Sequence, residues 1–282
     1  MIVNSKEILK RAKENKYAIP HFNINNLEWT RFILEECEEN NSPVILGVSE
    51  GAIKYMGGYQ VVSDMVRDLV TSLNIKIPVV IHLDHGSSVE SCKKAIDAGF
   101  TSVMIDASKY SLEENINMTK EVVCYAKNKK VTVEAEIGHI GGEEDGIADE
   151  LAYAKVEDAI ELSKTEIDTI APALGSVHGI YKGEPKLDFA RMEEISKLTN
   201  LPMVLHGGSG IDDEKIKKAI KSGIAKININ TELQQAWSIG IRKFLEENKN
   251  IYDPRKIIKS GEEAMKKAIK EKIILLNSQN KF

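Results

Sequence analysis

Eight apolar, β-branched runs alternate with helix-forming segments along 282 residues, and no Pro/Gly/Ser-rich linker interrupts them. That pattern predicts an α/β fold, a single (β/α)8 (TIM) barrel occupying residues 1–282. Periodicity alone cannot close a barrel, so a doubly wound sheet is the competing arrangement.

The chain opens with a helical segment, "NSKEILKRAKEN", ahead of the first strand. Strands are expected at "YAIPHF" (17–22), "PVILGVS" (43–49), "PVVIHLD" (78–84) and "TSVMID" (101–106). Four more follow at "VTVEAEI" (131–137), "DTIAPAL" (168–174), "PMVLH" (202–206) and "IAKINI" (224–229), each short and rich in strand-forming residues. Between them lie helical stretches such as "SVESCKKAIDAG" and "DDEKIKKAIKSG". These open on Ser or Asp and close on Gly, as helix boundaries should. Two further helices, near 232–248 and 261–276, follow the last strand.

Composition narrows the class of function. A net charge of −5 argues against a nucleic-acid partner, which would call for a basic face. No apolar run approaches the roughly 18–20 residues needed to span a bilayer. The first twenty residues lack the apolar core of a signal peptide, so a cytoplasmic protein with no membrane partner is expected. Cys37, Cys92 and Cys124 are odd in number and far apart, and read as buried or idle thiols.

In such a barrel, active-site residues gather at the C-terminal ends of the strands. Those ends carry Ser49, then Asp84 and His85, Asp106, Glu134 and Glu136. Beyond the sixth strand "GSVHGIYKG" carries His178, the seventh ends in His206, and the eighth in Asn228, Asn230 and Thr231. Three of the six histidines thus reach one rim from three strands. Three imidazoles with a position left open for water or substrate are the composition of a catalytic zinc site. His82 shares the Asp84 side of its strand and either orients the site or packs. His21 is expected as a hydrogen-bonding barrel residue, and His139, in a glycine-rich loop, as solvent-exposed.

Two stretches suggest phosphate. "HGGSGIDDEKI" sets Gly207, Gly208 and Ser209 ahead of a helix start, where backbone N–H groups can cradle an anion. "GIYKGEP" adds Lys182 near His178. The long acidic loop "GHIGGEEDGIADELAYA" reads as a lid carrying Glu143 and Glu144 as movable proton carriers.

The segments "HLDHGSS", "VEAEIGHIGGEEDG", "APALGSVHGIYKGEP", "LHGGSGI" and "KININTE" together resemble the signatures of the class II, metal-dependent fructose-bisphosphate aldolases, a family that includes tagatose-bisphosphate aldolases. The likeness runs from "FNINNLE" through "YDPRK" and is greatest to the compact fructose-type enzymes of Gram-positive bacteria. It implies an aldehyde-lyase of glycolysis and gluconeogenesis. Carried over by position, it implies His85, His178 and His206 as ligands of a catalytic Zn2+, with Asp106 and Glu136 at a second metal position. Asp84 matches the acid/base at the C4 hydroxyl, and Glu144 the lid acid acting on the ketone fragment. Gly179, Gly207, Gly208, Ser209, Asn228, Ile229, Asn230 and Thr231 match the dihydroxyacetone-phosphate cradle. Ser49 and Arg255 match contacts to the aldehyde fragment, with Arg255 reaching a neighbouring subunit. Members are homodimers or homotetramers acting on phosphorylated ketoses, and many respond to a monovalent cation, Na+ or K+.

Asn230 departs from the family pattern. Many fructose-specific members carry Asp there and tagatose-type members often Ala, so tagatose 1,6-bisphosphate, or a related phosphoketose or phospho-deoxygluconate, is the alternative substrate. Two other readings compete. Lys226, on the last strand, would serve a Schiff-base aldolase, but such an enzyme has no use for a three-histidine rim. A barrel that only binds phosphosugars would not need Asp84 and Glu144 beside a metal.

Overall fold

The computed structural model describes residues 1–144, 147–149, 151–179, 181 and 183–282, except the side chains of 143, 144 and 147–149. The first half runs α1 (Lys6–Glu14), β1 (Ile19–Asn23), α2 (Leu27–Glu39), β2 (Val44–Ser49), α3 (Glu50–Met56), α4 (Tyr59–Ser72), β3 (Val79–Gly86), α5 (Val89–Asp97), β4 (Ser102–Ile105) and α6 (Leu112–Lys127). It continues with β5 (Thr132–Ile137), β6 (Gly141–Glu144), β7 (Ile147–Asp149), α7 (Val156–Ser163), β8 (Thr169–Pro172) and β9 (Val177–His178). The last part holds α8 (Phe189–Thr199), β10 (Met203–Leu205), α9 (Asp213–Lys221), β11 (Ile224–Ile229), α10 (Thr231–Glu247), α11 (Pro254–Lys259) and α12 (Glu262–Leu275).

Eight parallel strands close into a barrel in the order β1-β11-β10-β8-β5-β4-β3-β2, which excludes the doubly wound sheet. All eight expected strands are present, each end shifted by two residues or fewer. The helix boundaries follow the capping chemistry. Ser88 accepts the Ser91 N–H at the start of α5, and Asp212 accepts that of Glu214 at the start of α9. Gly99 and Gly223, just past the ends of these helices, take positive φ.

The barrel wall is apolar outside, where Leu46, Leu83, Val103 and Ile227 pack beneath the helices. Inside, Ile19, Ile45 and Val80 pack on Ile8, Leu9 and Ala12 of α1, which plugs the lower mouth. Further along the same strands the interior turns polar, with His21, Asn23, His82, Asp84, Glu134 and Lys226 all buried. A protein buries such groups only if they are partnered, so this layer is where function is to be sought.

The described part of the acidic loop after β5 contains regular strand. Its residues form β6 and β7, an antiparallel pair, and β6 also pairs in parallel with β9, Gly142 opposite His178. Cys37 and Cys92 are buried and Cys124 exposed, on α2, α5 and α6. Among the described residues no helix is long and apolar enough to cross a membrane.

Candidate active site

Strand alternation should send Asp84 and His85 to opposite faces of the sheet. The pairing of β3 with β4 avoids this by a register shift between Leu83 and Gly86, an extra residue in β3. His85 takes the left-handed conformation, φ 48°, which costs energy in a non-glycine residue and is typical of functional sites. Both side chains therefore reach the rim.

Three imidazoles meet there. The rings of His85, His178 and His206 lie edge to face, with centroids 4.6 to 5.7 Å apart. His85 Nδ1 lies 2.8 Å from Asp106 Oδ2, and His206 Nε2 lies 3.0 Å from Glu134 Oε1. Carboxylates accept, so both those nitrogens carry protons, and His85 Nε2 and His206 Nδ1 are left with lone pairs 3.0 Å apart. Two facing lone pairs repel unless a cation stands near them. Burial, then the neighbouring His85, pushes His206 down to about 4, and burial, then His85 and His206, holds His178 well below the usual histidine range. Neutral imidazoles oriented by carboxylates fit a divalent metal, and one donor atom from each of the three lies within 4.8 Å of the others.

The acids divide by environment. Burial would raise the Asp84 carboxyl, but His21, then His85 and His206, pull it well below the usual range. Asn23 Nδ2 donates to its Oδ2 at 2.8 Å and Asn228 Nδ2 to its Oδ1 at 3.3 Å. His21 Nε2 is 3.4 Å away. Glu136, by contrast, is raised by burial and by the charge of Asp106. Asp106 is lowered: burial opposes ionisation, and hydrogen bonds from His85 and Ser108 outweigh it. His85, Asp106 and Glu136 form a second cluster with metal-ligand spacing.

A cavity of about 530 Å³ opens over this centre, lined by Ser49, Asp84, His85, Asp106, Glu136 and His178 among others. A smaller cleft of about 220 Å³, lined by Asn23, Ser49, Asn230 and Gln234, adjoins it through Ser49. Beside these, Gly207 is needed because a Cβ there would lie 2.1 Å from the Val177 carbonyl oxygen, at φ +63°. The Tyr181 hydroxyl clasps the same pair, donating to Gly207 O and accepting from Val177 N. Two amides of the "HGGSG" loop are already engaged, Gly208 by Asn228 O and Gly210 by Glu232 Oε1. Ser209 and the start of α10, where Asn230 and Thr231 follow the buried Ile229, stand beside these two amides. Gly179, at φ 81°, continues from His178.

Five further residues remain to be placed. His139 is not solvent-exposed: its side chain is 17% exposed and lines the cavity, with Nδ1 2.8 Å from Ser108 Oγ. The reason is that its backbone pairs with Ala152, drawing the base of the acidic loop onto the rim. Arg255 lies on α11, 88% exposed and paired with Asp253, and lines neither cavity. Lys182 lies outside the described residues, as does the side chain of Glu144. Lys226 is an ion-paired barrel lysine, 2.8 Å from Glu134 Oε2, which withdraws it from Schiff-base chemistry. The support given by Asn23, Ser108 and Tyr181 carries no signal in one sequence beyond polarity near a strand end.

The chain matches the model of the class-II fructose-bisphosphate aldolase family over residues 3–281. It is 55% identical over 282 residues to a fructose-bisphosphate aldolase of Geobacillus stearothermophilus, covering 99% of this chain and 98% of that protein. A fructose-bisphosphate aldolase of Staphylococcus epidermidis is 56% identical, covering 99% of each. Among solved structures, the YdjI aldolase of Escherichia coli K12 superposes with a TM-score of 0.87 at 34% identity, covering 99% of this chain and 98% of that one. Fructose-bisphosphate aldolase of Campylobacter jejuni does so with 0.86 at 27%, covering 100% and 97%.

Proposed function

Because the chain belongs to the class-II fructose-bisphosphate aldolase family, we propose that it reversibly cleaves fructose 1,6-bisphosphate to dihydroxyacetone phosphate and glyceraldehyde 3-phosphate. It acts as a single barrel domain in a cytoplasmic homodimer or homotetramer. The observation that carries this reading is the triangle of His85, His178 and His206 beside an ionised Asp84.

Zinc is the ion this reading assigns to the three histidines, and when bound it supplies Lewis acidity at the ketose carbonyl oxygen. The protein does the rest. Asp84, fixed by Asn23 and Asn228, accepts the C4 hydroxyl proton as the C3–C4 bond breaks and returns it in condensation. Ser209 and the start of α10 hold the phosphate of the ketone fragment, with Asn228 beside it. Ser49 contacts the aldehyde fragment from the second cleft. Glu144, on the lid strand paired to the His178 strand, exchanges the proton of the ketone fragment while the lid excludes water. Arg255, which lines neither cavity in its own chain, serves the site of a second copy and holds the other phosphate.

The test is an aldol-cleavage assay on fructose and tagatose 1,6-bisphosphates, with and without EDTA. The expected result is cleavage of the fructose substrate, lost with EDTA and restored by Zn2+ or Co2+. Activity that survives chelation but is lost on borohydride treatment with substrate would overturn the metal reading in favour of Lys226. Preference for tagatose would leave the chemistry and change the substrate.

A further inference from the structure

We infer that Glu134, clamped by Lys226, is a positioning residue that keeps the His206 proton on Nε2, so that Nδ1 presents its lone pair to a bound divalent metal. This rests on the metal reading of the three histidines.

Glu134, Lys226 and His206 are each 1% exposed. A buried ion pair is weak evidence for stability, because desolvation consumes most of its attraction. Its placement is better explained by what it orders. Lys226 Nζ donates to both oxygens of Glu134, at 3.1 and 2.8 Å. It also lies 3.4 Å from His82 Nε2, while His82 Nδ1 is 2.8 Å from Ser102 Oγ. An ammonium can only donate, so His82 Nε2 accepts and His82 Nδ1–H donates to Ser102. Glu134 can only accept, so His206 carries its proton on Nε2. Along the row from Ser102 to His206 Lys226 donates to both its neighbours and Glu134 accepts from both of its own, so every proton has one place, and the outcome is a lone pair on His206 Nδ1. Asn228 Nδ2, a donor 3.1 Å from that Nδ1, agrees independently.

A substitution can reverse the row. In Glu134→Gln, Lys226 holds the single amide oxygen at the former Oε2 position, where its contact is shorter. The amide NH2 then faces His206 Nε2, and the ring proton moves to Nδ1, on the metal side. In Glu134→Gln/Lys226→Met nothing competes for the oxygen, so the amide turns and accepts from His206 Nε2–H again.

The experiment compares wild type, Glu134→Gln and the double variant by two readouts on purified protein. Zn2+ affinity is measured by competition with a chromophoric chelator, and the His206 tautomer by ¹⁵N NMR of the metal-free protein. Expected are Nε2–H in wild type, Nδ1–H and an affinity about 10–100-fold weaker in Glu134→Gln, and recovery of most of that loss in the double variant. Wild-type affinity in Glu134→Gln, or a double variant no tighter than the single, overturns the inference and leaves the metal reading intact. A wild type that binds no Zn2+ brings down both. Should Glu134→Gln not fold, the wild-type spectrum still decides: His206 with its proton on Nδ1 overturns the inference.

Discussion

His85 Nδ1 and Asp106 Oδ2 lie 2.8 Å apart, and that contact aims His85 Nε2 at His206. Asp106 is itself fixed, its Oδ1 accepting from both the hydroxyl and the amide of Ser108. Removing the carboxylate frees the ring to rotate and to change tautomer. Asp106→Ala is therefore expected to weaken Zn2+ binding by about 10–100-fold, with part of the lost activity returning at high Zn2+. A chelator-competition titration checks it. Unchanged affinity would mean that the left-handed backbone at His85 alone holds the ring.

Asp84→Ala should keep the metal and the fold while lowering kcat by about 10²-fold or more, the usual range for a lost general acid/base. The variant leaves Asn23 and Asn228 amides without their carboxylate acceptor, at about 1–3 kcal/mol each unless water enters. Metal analysis of the pure protein separates the roles. Loss of zinc with Asp84 would exchange the assignments of ligand and base.

Gly47 and His21 share one space inside the barrel. A Cβ on Gly47 would stand 1.6 Å from His21 Nε2, so the glycine is the room in which the imidazole lies against Asp84. Gly47→Ala should cost about 1–3 kcal/mol by overpacking, read as a lower denaturation midpoint. Gly47→Ala/His21→Ala should recover that stability without recovering full activity. A double variant less stable than either single one would show that His21 moves aside easily.

Much of this was legible because the barrel is built from local signals. Short β-branched runs and Ser, Asp and Gly at helix ends put all eight strands within two residues of their places. Strand ends then named Asp84, His85, Asp106, Glu136 and His206 without any contact map. The bulge at His85 was not legible, because it depends on how β3 registers against β4, a pairing between distant segments. Nor was the Glu134–Lys226–His206 row, whose members come from three strands and are joined only once the barrel closes. His139 failed for a similar reason: a histidine among glycines reads as surface until Ala152 pulls it inward.

Asn230 bears on the choice of sugar. Fructose and tagatose 1,6-bisphosphates differ in the configuration at C4, the carbon whose hydroxyl Asp84 is proposed to deprotonate. Asn230 stands at the end of β11 and lines the cleft shared with Ser49, and among the described residues its buried Oδ1 has no hydrogen-bond partner. An amide offers a donor and an acceptor but no charge, so it can favour one orientation of a hydroxyl without rejecting the other. Fructose 1,6-bisphosphate should therefore be preferred, with measurable tagatose cleavage. Asn230→Asp turns the donor into an acceptor and adds charge, and should sharpen the preference. A discriminating hydrogen bond is worth about 1–3 kcal/mol, roughly 5- to 150-fold in kcat/KM. The ratio of kcat/KM for the two sugars, in wild type and variant, checks it. A ratio unmoved by the substitution would place the discrimination elsewhere, with Asn23 and Gln234 of the same cleft the next residues to change.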